Sequence, residues 1–176
     1  MHLRPHSLTF GALALSFPLF ATFGCNSNSP ALQENIHADQ ILVVKSQHSM
    51  TLLANGKVLK TYKVALGRGD GKAKQREGDH ETPEGHYIID NRNAHSHFHR
   101  ALHISYPNID DRKRAQAAGV SSGGQIMIHG IQNGLGWIGS LQHEIDWTDG
   151  CIAVTNAEIE EVWNLVPLGT PIEIRP

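Results

Sequence analysis

The sequence predicts a mainly β fold, a sandwich or barrel of short strands with two or more short helices. Short apolar runs recur along the chain with turn residues between them. Two stretches read as modest helices from their caps and stops. Strands do not alternate with helices, which argues against a doubly wound parallel sheet.

The elements follow in order. Residues 41–44, Ile-Leu-Val-Val, read as a strand. Residues 50–54 and 58–65 flank Asn55-Gly56, two residues tolerant of positive φ, and so predict a hairpin. Residues 67–85 form a Gly-rich, charged stretch expected to be a mobile loop. Further short strands are expected at 86–90 and 101–106. A helix is expected over 110–118, with Asp110 as cap and Gly119 as terminator. Residues 125–129 form an apolar strand that stops at His129-Gly130. Thr155 and Glu158 have capping-box spacing, which opens a helix through Val166 with Ile159, Val162, Trp163 and Val166 on one face. Residues 171–174 supply a last strand.

The 176 residues allow one ordinary domain behind a leader. A hydrophobic content of 40% excludes a multi-span membrane protein. A net charge of −2 argues against a nucleic-acid partner, which calls for a basic face. Residues 8–23 are almost wholly apolar and follow Arg4, the pattern of an export signal. The run ends at Gly24-Cys25, similar to the bacterial lipoprotein cleavage site. Residues 1–25 are therefore expected to be a leader or anchor, with Cys25 a candidate lipidation site. An ordinary cleaved signal or an uncleaved anchor remains the alternative. Residues 26–40 are polar and read as a linker, and residues 41–176 as the domain. The expected location is outside the cytoplasm, in the periplasm or cell envelope, and Asn26 points by analogy to the outer membrane.

The two cysteines, Cys25 and Cys151, do not suggest a disulfide, because the first belongs to the leader. Cys151 is then an unpaired thiol in an oxidising compartment, either a small buried hydrophobe or a nucleophile. Its neighbours favour the second. Thiol catalysis needs a thiolate, and an ordinary thiol with a pKa of about 8.5 is mostly protonated at neutral pH. His129, at the end of an apolar strand, is the candidate base. Gly150 lets the backbone turn before Cys151, so that backbone N–H groups can face a developing oxyanion.

Ile128-His129-Gly130, Thr148-Asp149-Gly150-Cys151-Ile152 and the helix from Thr155 together resemble the L,D-transpeptidase catalytic domain family (YkuD-type). Gly78-Asp79 with Thr82-Pro83-Glu84-Gly85-His86-Tyr87 adds to the likeness, which covers roughly residues 41–176 and is greatest for a branch with a Trp-Thr-Asp-Gly-Cys signature. The resemblance implies a YkuD-like fold and action on bacterial cell-wall stem peptides. It implies that Cys151 attacks an L,D peptide bond to form a thioester, with His129 as general base. The N–H groups around Gly150 and Cys151 would bind the oxyanion, and Gly130 would hold the His129 loop by its backbone. An amine from a second stem would then resolve the thioester. Asp149 stands where many members have His, Lys or Arg, and Ala153 where many have Arg or Asn. Both positions would line the substrate groove.

Other residues carry weaker signals. His143 is expected either to touch substrate or His129, or to be a solvated loop residue. Trp147 is expected to pack over the site, and Trp163 in the core. His95, His97 and His99 would share a face of a strand, but no metal-binding motif accompanies them. No metal or cofactor is expected, and the domain is expected to be a monomer. Arg68, Lys72, Lys74 and Arg76 are expected to be solvated, or to meet stem-peptide carboxylates. Three functions are open to such a chain. They are transfer of a stem acyl group to an amine, the same chemistry with water (trimming stems or detaching a wall-linked protein), and non-catalytic wall binding.

Overall fold

The computed structural model describes residues 36–176 and, ahead of them, His2. The expected leader, Cys25 and the first part of the linker lie outside the described residues. The residues from Ile36 onward form one compact unit. The fold begins slightly before residue 41. Ala38 is already buried, and its N–H donates to the Leu165 carbonyl at 2.8 Å.

The strands are β1 (Gln40–Val44), β2 (Ser49–Ala54), β3 (Lys57–Lys63), β4 (Gly85–Ser96), β5 (His99–Ile104), β6 (Met127–His129), β7 (Ile152–Ala153) and β8 (Pro171–Arg175). They form one eight-stranded sheet in the order β3-β2-β1-β8-β4-β5-β6-β7. Pairs β1–β8 and β6–β7 are parallel, and the others antiparallel. The sheet curls. Beyond edge strand β3, Ala65 bridges to Ala153, and Gly67 to Thr148. The chain leaving one edge therefore meets the other, which covers the free side of β7. Alternate side chains of each strand point inward. Ile41, Val43, Leu52, Ile89, Leu102, Ile128, Ile152, Ile172 and Ile174 form the core.

Local chemistry explains most boundaries. Asn55 and Gly56 both take positive φ, 53° and 71°, and join β2 to β3 as expected. Helix α2 (Asn156–Leu165) starts at the expected capping box, Thr155 with Glu158, and buries Ile159 and Val162. Helix α1 (Ile109–Ala117) is capped by Asn108 rather than Asp110. Asn108 Oδ1 accepts from the Asp110 and Asp111 amides, while Asp111 returns a bond to the Asn108 amide, a reciprocal pair that Asp110 cannot make. Strand β4 runs six residues past Asp90. Its extension, Asn91 to Ser96, is polar and lacks alternation, so only pairing with β5 holds it extended.

Residues 67–85, expected to be a mobile loop, are pinned instead. Lys74 is buried at 4% exposure, with Nζ 2.7 Å from Asp79 Oδ1. Asp79 also accepts the Gln75, Arg76 and Glu81 amides. Lys45 Nζ donates to the Lys72 carbonyl and to Glu84. Lys74 is thus neither solvated nor free to meet substrate. Burial pushes the Asp79 pKa up, but Lys74 and the three amides outweigh it and hold it at about 2.

Because the folded pKa of Asp79 lies below its unfolded value, its contribution to stability is present above about pH 4 and is lost as pH falls toward 2. Asp79→Asn leaves Lys74 buried without its counter-charge. It is expected to cost about 3 kcal/mol and to flatten the acid limb of stability, measured by urea unfolding from pH 2 to 7.

Candidate active site

The parallel pairing of β6 with β7 builds the site. Ile128 lies beside Ile152 and His129 beside Ala153. One step back along the register, Cys151 falls next to Met127. Side chains two apart on a strand share a face, so Met127, His129 and Cys151 look into the same space while Ile128 enters the core. That space is a cleft of about 420 Å³, lined by His129 and Cys151 together with Phe98, Gln125, Trp147 and Asp149 among others.

His129 is 3% exposed. Its Nδ1 lies 2.7 Å from the Gly130 carbonyl. A carbonyl only accepts, so Nδ1 carries the proton and Nε2 keeps its lone pair. The ring packs at 4.5 Å from Phe98 and edge-on at 5.7 Å from Trp147. Burial pushes its pKa down, against the Gly130 carbonyl, which pulls it up. Gly130 is a required glycine: a Cβ there would stand 2.7 Å from Asn156 Oδ1 and 3.1 Å from the Phe98 carbonyl. Its own N–H donates to the Phe98 and Arg100 carbonyls.

Cys151 is a free thiol whose Sγ is 3.5 Å from the Gln125 carbonyl. Burial pushes its pKa up, and the Asp149 charge adds to this. The Met127 N–H and the more distant Lys74 pull it down. The turn before it is clamped by Thr148, whose hydroxyl donates to the Cys151 carbonyl at 2.8 Å and accepts from the Gly150 N–H at 3.1 Å. Gly150 sits at φ +119°, and a Cβ on it would meet the Glu81 carbonyl at 2.6 Å. The Gly150 amide is therefore committed to Thr148. Of the N–H groups expected to face an oxyanion, that of Gly150 is already bonded.

The cleft brings together several residues singled out in the sequence. Trp147 lies over His129 and donates from Nε1 to Gln142 Oε1 at 2.9 Å. Asp149 stands at the lip, 72% exposed. Other expectations fail. Ala153 is fully buried, with its N–H donated to the Ala65 carbonyl, because the curl of the sheet covers it, so it does not line the groove. His143 is neither solvated nor in the cleft. It lies in the 3₁₀ segment Gly136–His143, buried with Nε2 3.7 Å from Glu158 Oε2. The three spaced histidines also do not share a strand face. Strand β4 ends at Ser96, His97 lies in the turn at the cleft, and His99 is on β5, 2.7 Å from Glu160. Trp163 is only partly buried, under the guanidinium groups of Arg92 and Arg100.

Sequence reasoning missed Phe98, Gln125 and Thr148. The threonine had a signal, since Ser and Thr hydroxyls commonly bond the backbone two or three residues on. Phe98 and Gln125 had none, because they come from a hairpin turn and a loop remote in sequence.

A buried strand-end histidine and a cysteine behind a clamped glycine turn thus share one cleft at the edge of a curled β-sheet. Residues 38–174 match the L,D-transpeptidase catalytic domain, YkuD, and the chain belongs to that family. The chain is 30% identical over 111 residues to the Escherichia coli (strain K12) protein named "Putative L,D-transpeptidase YafK", covering 62% of this chain and 37% of that one. Among solved structures it is similar to a K307A mutant of the helical cell shape determining protein Pgp2 from Campylobacter jejuni. The identity is 23% and the TM-score 0.60, over 79% of this chain and 47% of that one. It is also similar to Bdellovibrio bacteriovorus Bd1075, at 25% identity and TM-score 0.55, over 81% and 49%. The chain thus spans less than half the length of each of these relatives.

Two outcomes follow from this geometry. Gly150→Ala forces both a disfavoured φ and a backbone clash, and is expected to cost at least about 2 kcal/mol, read as a lowered melting temperature. Alkylation of Cys151 by iodoacetamide tracks its thiolate fraction. With the thiol pushed up and His129 pushed down, the rate is expected to climb through an inflection above the ordinary thiol range of about 8.5. A plateau reached by pH 7 would instead reveal a resting thiolate–imidazolium pair.

Proposed function

We propose that this protein is an exported cysteine acyltransferase that acts on the stem peptides of bacterial peptidoglycan. The observation that carries the reading is the single cleft shared by the Cys151 thiol and the unprotonated Nε2 of His129, in a chain of the L,D-transpeptidase family. In the resting state both groups are neutral, since burial disfavours either charge. As Cys151 attacks the scissile carbonyl, its proton passes to His129 Nε2. The Cys151 N–H is the donor left for the oxyanion. His129 then returns the proton to the departing amine, which leaves a thioester on Cys151. A second amine attacks the thioester carbon and gives its proton to His129, which passes it to the leaving sulfur. An amide and the free thiol result.

The Gly130 carbonyl supports this cycle by holding His129 in one tautomer. Phe98 and Trp147 fix the ring plane and limit water access. Envelope location, with Cys25 lipidated or the leader cleaved, belongs to the same proposal.

Incubation with purified muropeptides, read by mass spectrometry, is expected to give crosslinked or amine-capped stems. Cys151→Ala and His129→Ala are each expected to lower the rate by at least about 1000-fold. Shortened stems without any capped product would assign water as the acceptor. Full activity in Cys151→Ala would refute the mechanism.

A further inference from the structure

The extended second half of β4 serves neither the core nor the reacting groups. Asn91, Asn93 and His95 are all exposed there. With His103 of β5 they line a groove of about 790 Å³. Ligand sites commonly have volumes of about 300–1,000 Å³. The groove is continuous with the reactive cleft, since Asn93, Gln125 and Met127 line both. Strand register sets its direction. Asn91 pairs with His103, His103 pairs with Met127, and Met127 lies next to Cys151. Neighbouring strands are about 4.8 Å apart, so Asn91 stands roughly 14 Å from Cys151 across the sheet.

The polar atoms of this groove suit an uncharged ligand. Asn91 Oδ1 accepts the Arg92 N–H at 2.7 Å, and Asn93 Oδ1 accepts the His95 N–H at 2.9 Å. Each bond fixes a carboxamide by its oxygen and leaves the Nδ2 donors for a ligand. His103 donates from Nδ1 to Asp90 Oδ1 at 2.5 Å, which leaves its Nε2 as an acceptor. That bond also occupies Asp90, the one carboxylate among the described lining residues. No lysine lines the groove, and the Arg92 guanidinium is turned onto the Trp163 ring at 4.0 Å, where it donates to the Trp163 carbonyl. A stem-peptide carboxylate or ammonium would find no free counter-charge here. Hydroxyl and acetamido groups both donate and accept, so they match the asparagine donors and the His103 acceptor together. We infer that Asn91, Asn93 and His103 form a binding groove for an uncharged N-acetylated polysaccharide, the glycan strand from which stem peptides hang. Three or four extended residues reach about 10–14 Å, the span from the groove to Cys151, so a sugar held here delivers its own stem to the cleft. The inference rests on the stem-peptide reading above for the source of the glycan.

The probe is chitotetraose, an oligomer of N-acetylglucosamine that carries no peptide. Its binding to the full chain is measured by calorimetry and mapped by NMR on the side-chain amides. Saturable binding is expected, with shifts at the Asn91, Asn93 and Gln125 carboxamides. Asn91→Asp and Asn93→Asp keep the oxygen that holds the backbone and lose the donors, so each is expected to weaken Kd about tenfold. In turnover, a stem still joined to its sugars is expected to be favoured about tenfold in kcat/KM over the same stem freed from them, mostly through KM. Asn91→Asp is expected to erase that preference and to leave the rate on the free stem unchanged. Three results would overturn the inference and leave the transferase reading standing. They are no saturable binding of chitotetraose, a free stem shifting the groove carboxamides in its place, or equal kcat/KM with and without sugars. Binding of chitotetraose by a chain that processes no stem would instead uphold the groove and refute the transferase reading. The unmodified chain decides each of these outcomes even where a variant is destabilised.

Discussion

The short parallel ladder between β6 and β7 is the constraint on which the site depends. It is only a few residues long, yet it sets His129 and Cys151 on one face although 21 residues separate them in sequence. A slip of β7 by one residue against β6 would turn Cys151 toward the core and part it from His129. Three things hold the register. Ile128 and Ile152 are fully buried, the Val154 N–H donates to the His129 carbonyl, and Ala153 is fixed on its other side by Ala65. The curl of the sheet is thus not decoration. The bridge from beyond β3 is what stops β7 from being a free, adjustable edge.

Around that ladder the site is assembled from close backbone approaches, which explains its glycines. Gly130 and Gly150 sit where another carbonyl passes within about 3 Å of any added Cβ. One lets the His129 loop seat against Phe98 and the start of α2. The other lets the cysteine turn seat against Glu81. The same closeness has an electrostatic consequence. His129 and Cys151 are both shielded from water, and burial pushes each toward its neutral form.

The loop from Val64 to Glu84 shows how composition misleads. Glycines and charges suggest motion, but Lys74, Asp79 and Glu81 use their charges internally. Lys74–Asp79 and Lys45–Glu84 are short, shielded pairs that stiffen the wall behind the cysteine turn. Asp149 and Arg68 are the exposed counterpart of this arrangement, and their pairing gives the lip of the cleft a dipolar character that the residue before Gly150 alone does not convey.

What the sequence by itself determined was local. Asn55-Gly56, the Thr155–Glu158 capping box, the strand ending at His129 and the Gly-Cys turn each depend on residues close in the chain, so their chemistry is legible there. The mainly β class and the candidate nucleophile and base were readable for the same reason. Only the tertiary structure decided which face Ala153 took, that His143 was buried beside Glu158, that Gly150 N–H was already committed, and that Phe98 and Gln125 joined the cleft. Those outcomes come from non-local pairing across the curled sheet, where burial and register are set by residues as far apart as Ala65 and Ala153, or Ile41 and Ile172, and no local pattern encodes them.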